Sequence, residues 1–363
     1  MTTIDDRLPF YHLDRMTDST GLIQHAIYAI PRRESGYTTD DNARALRLCT
    51  RLWSESPDNR MLERVSCYLS FLEHARCSVR GFHNLLSYQR DWLDAGGTGD
   101  CQGQAMLALC EVLASPLPPG FRALSSELIE TSLPALAELR SLRAQAYLVQ
   151  AWALIRHVKT SFHKAFANLA RSCADRLMEC YHRSRRPDWP WFESRLTYAN
   201  AALPHALFNA DLLWPGEGFR TIAESTFAFL DQATTENGVF WPVGNRDWFS
   251  QGEPKSLYDQ QPVEAATMAA ASMAEIQWRG NRKHAEVFRR AYAWFHGENS
   301  QRTLLADPQT GACFDGLQPH GANQNQGAES TLAYLWTEML QRDIEREFMD
   351  FPTGAAASWQ SKV

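Results

Sequence analysis

Two kinds of hydrophobic pattern alternate along the chain. In one kind, apolar residues recur at helical spacing among charged ones, as in residues 59–74, where Leu62, Val65, Leu69 and Leu72 share one helical face. In the other kind, small and apolar residues run almost without interruption after a polar start. Six such segments begin near Asp40, Asp100, Arg143, Tyr198, Gln261 and Gly327. Their unequal spacing indicates a loose structural repeat, not a copied sequence.

This repeat predicts an all-α protein built as an (α/α)6 toroid. Small residues let helices approach closely and suit an inner ring, whereas amphipathic helices suit an outer one. An open α-solenoid is the alternative, but it would favour a constant period and does not explain why polar loops precede the inner helices. We expect residues 1–363 to form one domain, with an extended lead-in over 1–18 and a frayed tail over 352–363. We also expect a short helix over 21–29 and hairpin strands within 239–249.

The inner helices of a toroid all point the same way, so their N-termini share one rim. A helix N-terminus lowers the pKa of a nearby carboxyl, and a general acid therefore needs burial or a like charge to oppose that effect. The adjacent acids Asp40 and Asp41 are the first place to look for such a pair, although Thr39 or Asp40 could equally serve as a helix cap. Polar residues expected on this rim are Asp40, Asp41, Asp100, Glu193, Tyr198, Asn200, Gln261, Glu264 and Glu329.

The loops that lead to this rim are rich in aromatic residues. Trp191 lies in one such loop and Trp241 in another, and the whole chain contains 12 tryptophans. Aromatic faces beside carboxylates, amides and arginines such as Arg195 suit a sugar, whose C–H face stacks while its hydroxyls form hydrogen bonds. The alternative is that these rings only anchor long loops to the barrel.

The net charge, the length of the apolar runs and the cysteine pattern argue against several classes of protein. The net charge is −6 with acids and bases intermixed, and without a basic stripe we do not expect nucleic acid as a partner. Apolar runs fall short of the roughly 20 residues that span a bilayer, and the polar N-terminus does not resemble a secretory signal, so a cytoplasmic location is expected. The eight cysteines contain no CxxC pair, and we predict neither a disulfide framework, nor a metal site, nor a cofactor.

Six blocks along the chain carry a family resemblance. They are GYTTDDNARAL, DCQGQAMLAL, WPWFESRLTYANAALPHAL, DQQPVEAA, TGACFDGL and NQNQGAESTLAYL. In this order they resemble the signature blocks of a bacterial (α/α)6-barrel family that is similar to glycosidases. The resemblance extends from about Gly21 to Leu335.

That resemblance implies the toroid fold and a role in carbohydrate metabolism. Members of the family occur alone or fused to glycosyltransferases, often beside genes for mannoside phosphorylases, so a glycosyltransferase is an implied partner. The sequence departs from the family pattern at two positions, where Ala199 replaces the usual aspartate and Gln104 replaces the usual arginine. Any role that the family gives the aspartate is unavailable here.

We therefore expect a glycoside hydrolase or a related glycan-processing enzyme acting on an oligosaccharide or glycoside. Two carboxylates would flank the scissile bond. The catalytic candidates are Asp41, Glu193, Glu264 and Glu329. The candidate substrate contacts are Asp40, Asp100, Trp191, Tyr198, Asn200, Trp241, Gln261 and Arg195, with Arg32 and His25 as further contacts. Arg44 is expected to pair with an acid.

The alternative from another class is a non-catalytic glycan-binding or regulatory module that accompanies a glycosyltransferase, since a fold does not fix a function. An epimerase would need a pair of base-capable histidines, for which His25 and His205 are weak candidates. A zinc-dependent cyclase is disfavoured, because the sequence shows no Cys/Cys/His cluster.

Overall fold

The computed structural model describes residues 8–279 and 283–347. The α-helices of these residues are α1 (Tyr11–Met16), α2 (Thr39–Glu55), α3 (Asn59–His74), α4 (Gly99–Ala114), α5 (Pro119–Leu136), α6 (Leu142–Ile155), α7 (His163–Ser184), α8 (Ala202–Leu213), α9 (Phe219–Ala233), α10 (Pro262–Arg279), α11 (Lys283–Phe295) and α12 (Ala328–Glu347).

The even-numbered helices form a closed inner ring. Each of α2, α4, α6, α8, α10 and α12 contacts the next, and α12 returns to contact α2. Outside them, α3, α5, α7, α9 and α11 each pack on the inner helix that precedes them, and the short α1 packs on α12. The predicted (α/α)6 toroid is thereby confirmed. Five of the six inner helices begin within one residue of the predicted start, whereas the helix expected near Tyr198 begins at Ala202.

The two rings differ in burial as their sequences predict. Every residue from Cys101 to Leu113 of the inner helix α4 is buried, whereas the outer helix α7 buries only one face. Close approach of the inner helices requires small residues: a Cβ atom at Gly103 would lie 3.0 Å from the Cα of Ala144 on α6. A larger side chain at Gly103 would therefore force α4 and α6 apart.

The loops contain short antiparallel pairs of two or three residues per strand. These pairs are β1–β2 (Ala26–Ile27, Ile30–Pro31), β3–β6 (Tyr37–Thr38, Leu85–Leu86), β4–β5 (Arg76–Cys77, Gly81–Phe82), β7–β10 (Arg195–Leu196, Phe249–Ser250), β8–β9 (Thr235–Glu236, Val239–Phe240) and β11–β12 (Gly316–Gln318, Gly321–Asn323). The hairpin expected within 239–249 does not form, because β9 pairs upstream with β8 and β10 pairs with β7.

Two predictions about the N-terminal region are wrong. Residues 21–29 form no helix: Ile23 makes a bridge to Tyr37, and the Leu22 N–H donates to the Asn42 side chain at 2.9 Å, so their backbone groups are used in tertiary contacts. The lead-in is not extended throughout, since it contains α1. Residues 1–7 and the tail at 352–363 lie outside the described residues.

We predict that the ring unfolds in one transition. Because every inner helix contacts two inner neighbours, loss of any one exposes apolar surface on both sides. Calorimetry should show a single peak. Asp14→Ala removes the partner of Arg60 and Arg64, and should lower the midpoint by the equivalent of about 1 kcal/mol without splitting the peak. Two resolved transitions, or a stable proteolytic half, would show that the chain contains separate domains.

Candidate functional site

The start of α2 is fixed by hydrogen bonds from loops on both sides. The Thr38 hydroxyl caps the helix by accepting from the Asp41 N–H at 3.4 Å, and it also donates to the Asp41 carboxylate at 2.8 Å. The cap is therefore Thr38, which directly precedes the two predicted candidates, Thr39 and Asp40. Asn84 accepts from the N–H groups of Thr39 and Asp40, at 3.1 and 3.2 Å. These bonds satisfy donors that a helix N-terminus leaves free, and they hold both acids at the rim.

Arg44 joins the acids of α2 to the acid of α12. One of its terminal nitrogens lies 3.0 Å from Asp41 and 3.5 Å from Asp40, and the other lies 3.0 Å from Glu329. The Asp41 side chain is only 6% exposed, whereas that of Glu329 is 41% exposed. A single guanidinium therefore holds a buried and an accessible carboxyl group from different inner helices close together.

Burial and charge repulsion raise the pKa values of Asp41 and Glu329. Burial raises the pKa of Asp41 to about 8, the negative charge of Asp40 adds to this effect, and Arg44 opposes it. Withdrawal from water also raises the pKa of Glu329, again against Arg44. Near neutral pH, the cluster therefore keeps at least one proton that an exposed carboxyl would lose.

A cavity of about 310 Å³ opens at the rim beside this cluster. Five acidic side chains line this cavity, and His25 is the only ionisable base among the described residues that line it. The acidic lining residues are Asp40, Asp41, Asp259, Asp315 and Glu329. The amides of Gln24, Asn245, Gln261, Gln318 and Asn323 also face it. Amides and carboxylates are the groups that hydrogen-bond sugar hydroxyls, and the excess of acids disfavours an anionic ligand.

A smaller cavity of about 90 Å³ lies deeper inside the ring. Glu329 lines both cavities, which places the second directly beneath the first. The other polar and aromatic residues of the deep cavity are Arg44, Arg47, Gln104, Tyr147, Gln150, His205, Thr267 and Trp336. Burial, together with the charge of Arg47, lowers the pKa of His205 to about 3, so this imidazole is neutral.

Other predicted rim residues form a second network around Arg143, which is 5% exposed. Its guanidinium donates to the Glu193 carboxylate, to the Thr197 hydroxyl at 2.8 Å and to the Tyr198 carbonyl at 2.9 Å. The Tyr198 hydroxyl donates in turn to Asp100. The network ties the N-termini of α4 and α6 to the loop before α8. Asp100, Glu193 and Tyr198 therefore lie on the predicted rim, but they do not line the cavity beside Asp41.

Glu264, in the first turn of α10, holds the loop before α8 through hydrogen bonds. Its carboxylate accepts from the backbone N–H of Ala199 and from the Asn200 side chain at 2.9 Å. Burial raises the pKa of Glu264 to about 7, although these donors oppose the shift. Glu264 is 5% exposed and Asn200 is fully buried. The Asn200 amide is enclosed by Glu264, Thr197 and Arg143, and it lines neither of the two described cavities.

Neither of the two tryptophans predicted to stack on a sugar lines the described cavities. Trp191 is fully buried, with its ring 5.1 Å from Phe192 and 6.1 Å from Phe229 between centroids. Packing encloses this ring, and it lines neither of the two described cavities. Trp241 is partly exposed, and its indole donates to the Leu257 carbonyl at 3.3 Å. Arg195 is exposed on β7, where its backbone pairs with β10. Neither Trp241 nor Arg195 lines the two cavities.

Sequence reasoning missed several cavity residues. Asp259 stands just before α10, as Asp40 stands near the start of α2, and Asp315 lies in the block TGACFDGL, so both had a signal in the sequence. Arg47 lies one turn below Arg44 on α2, and Trp336 lies two turns below Glu329 on α12. Helical periodicity from Arg44 and Glu329 could have found them.

Two features are absent from the described residues. No group of three or more His, Cys, Asp or Glu residues among them is placed to hold a metal ion, despite the acids around the rim cavity. Every helix in the same part of the chain is too short or too polar to cross a membrane.

Comparison with known proteins connects this fold to carbohydrate enzymes. No family model matches the sequence, and no curated protein does. Cellobiose 2-epimerase from Bacillus thermoamylovorans B4167 is similar in structure, with a TM-score of 0.69, 10% identity and coverage of 92% of this chain and 96% of that chain. The GH76 α-mannanase of Bacteroides thetaiotaomicron has a TM-score of 0.64, 10% identity and coverage of 93% and 94%.

A third solved structure contains a sugar. The cellulase Cel9M of C. cellulolyticum in complex with cellobiose has a TM-score of 0.59 at 7% identity, and the match covers 91% of this chain and 90% of that chain. At such identities the likeness shows the fold alone.

The buried carboxyl of Asp41 leads to a prediction about pH. The unfolded chain loses this proton near the ordinary pKa of 3.8, whereas the folded protein keeps it up to about pH 8. Between these values the native state binds more protons than the unfolded state, so this residue's contribution to stability falls as pH rises. Asp41→Asn removes that contribution. The melting temperature of the variant relative to wild type should therefore rise steadily from about pH 5 to about pH 8.

Asp188→Asn is the control, because Asp188 is exposed in a turn. Its melting temperature should follow wild type over the same range. A constant offset for Asp41→Asn across this range would contradict a proton-retaining Asp41.

Proposed function

We propose that the protein is a glycan-processing enzyme, specifically a glycoside hydrolase, whose reaction takes place where the rim cavity meets Asp41 and Glu329. The observation that carries this proposal is the pairing of these carboxyls, one buried with a pKa of about 8 and one accessible, through the single guanidinium of Arg44. Hydrolysis of a glycoside uses two carboxyl groups in different protonation states. Burial of both carboxyls raises their pKa values, but Asp41 is the more deeply buried and has a pKa of about 8, whereas Glu329 is more exposed and Arg44 opposes the rise in its pKa. The sugar-processing enzymes with the same fold support the substrate class.

The environments assign a role to each residue. Asp41 holds a proton at neutral pH and is the general acid, which donates to the glycosidic oxygen as the bond breaks. Glu329 is the accessible partner that takes a proton from water or attacks the anomeric carbon. Arg44 touches both and fixes their relative position. Asp40 and Gln261 face the same cavity and are the proposed substrate contacts.

The remaining predicted acids support the site without facing it. Glu193 is bonded to Arg143, and Glu264 holds the backbone before α8. We assign them, together with Asp100 and Tyr198, a positioning role in keeping the rim loops in place. Trp241 does not line the described cavities, and Arg195 faces solvent.

Acid–base chemistry by carboxyls fits this cavity better than epimerisation by histidines. His205 is neutral, but with a pKa of about 3 it is a weak base, and His25 lines the rim cavity, not the deep one. The competing proposal is a glycan-binding or regulatory module that accompanies a glycosyltransferase. That module would use the same cavity and the same hydrogen-bonding groups without turnover.

Substitution of the two acids separates enzyme from module. Asp41→Asn and Glu329→Gln keep size and most hydrogen bonding but remove the proton chemistry. We expect each to lower turnover of a glycan substrate by on the order of 10²-fold or more, because acid–base catalysis typically contributes that much. Sugar binding should largely persist. The measurements are turnover on a panel of gluco- and manno-oligosaccharides, binding by calorimetry, and melting temperature.

Glu253→Gln is the matched control, because Glu253 is exposed in a loop. It should leave turnover and melting temperature unchanged. If Asp41 and Glu329 only stabilise helix starts, their variants should lose about 1 kcal/mol of stability and keep their turnover. A wild-type protein that binds glycans but processes none would favour the module.

A further inference from the structure

The deep cavity continues the rim cavity along the axis of the ring. The lining residues pass from the rim cavity to the deep cavity along three inner helices. On α2, Asp40 and Asp41 line the rim cavity, and Arg44 and Arg47 line the deep one. On α12, Glu329 lines both cavities and Trp336 lines only the deep one. Gln261, just before α10, lines the rim cavity, and residues 266, 267 and 270 of α10 line the deep cavity. From Glu329 to Trp336 the helix descends about 10 Å, at about 1.5 Å per residue. The candidate catalytic acids therefore stand at the mouth of a pocket.

The pocket is closed at its lower end. Arg47 lies over the ring of Trp336, with 4.2 Å from guanidinium carbon to ring centroid, and donates to Glu111 at 3.2 Å. One turn further down, Glu111 of α4, Ala274 of α10 and Leu340 of α12 are all buried. The interior of the ring is packed at this level. A chain that enters from the rim cannot pass through, so only an end of it fits.

Among the buried side chains that line the pocket, Gln104 and Tyr147 have no hydrogen-bond partner in the described part of the protein. Gln104 is 7% exposed and Tyr147 is 5% exposed, and both line the cavity. Among the described residues, neither the Gln104 amide nor the Tyr147 hydroxyl has a hydrogen-bond partner, and neither belongs to the residues with further interactions. Their polar atoms open onto the cavity, so a ligand there can supply the hydrogen bonds that the protein does not. These two groups are therefore suited to a ligand that both donates and accepts hydrogen bonds.

The charges favour a neutral ligand. Arg47 is paired with Glu111, and Arg44 is paired with Glu329 and Asp40, so the two arginines that line the described pocket are already compensated. A sugar hydroxyl donates and accepts, and can meet the amide and the phenol at once. A carboxylate or phosphate would meet the surplus of acids at the rim before it reached the pocket.

We propose that this pocket binds one neutral terminal sugar residue, so that the enzyme acts at chain ends. The inference rests on the proposed hydrolase activity. Each turnover would break the glycosidic C–O bond next to the terminal residue. The hydroxyl of water would go to the anomeric carbon and a proton to the leaving oxygen. The products would be one monosaccharide and a chain shorter by one residue.

The first experiment tests the pocket without turnover. Wild-type protein should bind at least one of glucose, mannose and galactose by calorimetry. Gln104→Leu and Tyr147→Phe should each weaken that binding by about 3- to 10-fold, the effect of one neutral hydrogen bond, without lowering the melting temperature. If Gln104 and Tyr147 had only a structural role, the two variants would lower the melting temperature and leave the sugar affinity unchanged.

Gln102→Leu is the matched control on the same helix. The Gln102 amide is 1% exposed and bonds both backbone groups of Phe82, at 3.0 and 2.7 Å. This variant should lose stability and keep sugar affinity. Absence of monosaccharide binding in the wild type, or unchanged affinity in Gln104→Leu and Tyr147→Phe, would overturn the assignment of the pocket.

The second experiment follows early products from linear gluco- and manno-oligosaccharides. A monosaccharide and the chain shortened by one residue should appear first. Early products of every intermediate length would overturn action at chain ends. Monosaccharide binding that depends on Gln104 and Tyr147, in a protein that hydrolyses nothing, would support the pocket as a chain-end binding site while refuting the hydrolase.

Discussion

The ring depends on the contact between its first and last inner helices, because no covalent link returns from α12 to α2. Arginines at helical spacing on α2 make this contact, one above the other. From the rim downward the contacts are Arg44 with Glu329, Arg47 over the ring of Trp336, and Arg51 with Asp343 at 3.3 Å. Partly buried ion pairs contribute little net stability, because desolvation offsets most of the attraction. Their effect is to select one axial position of α12 against α2, since a shift by one turn would leave buried charges without partners.

The uppermost of these contacts is also the candidate site, and this explains the unusual chemistry there. Without Arg44, three carboxyls would face one another in a confined space, and repulsion would drive them apart or keep them all protonated. With Arg44 they stay together, and the raised pKa of Asp41 remains because burial and Asp40 outweigh the single positive charge. The register of the ring thus fixes how the two proposed catalytic groups face each other, although they are separated by most of the chain.

Much of this architecture could be predicted from the sequence, because inner and outer helices obey different rules. The inner segments need small residues for close approach, as Gly103 shows, and this composition marked their starts to within a residue in most cases. The same reasoning placed Asp41 and Glu329 on one rim. It could not tell Trp191 from Trp241, because whether a loop aromatic is enclosed depends on neighbours such as Phe229 that lie far away in sequence.

The departure at Ala199 shows how the structure changes a reading of the sequence. This residue is 1% exposed, and its N–H donates to Glu264, so an aspartate here would bring a second carboxyl close to that buried acid. Two carboxyls in such proximity share a proton and titrate as a pair. With alanine this pair cannot form, and Glu264 is left to hold the loop backbone. The like-charge cluster at the start of α2, held by Arg44, is therefore the place where this chain can still combine a protonated and an ionised carboxyl. If the chain catalyses hydrolysis, the proton transfers belong to Asp41 and Glu329 and not to the network around Arg143.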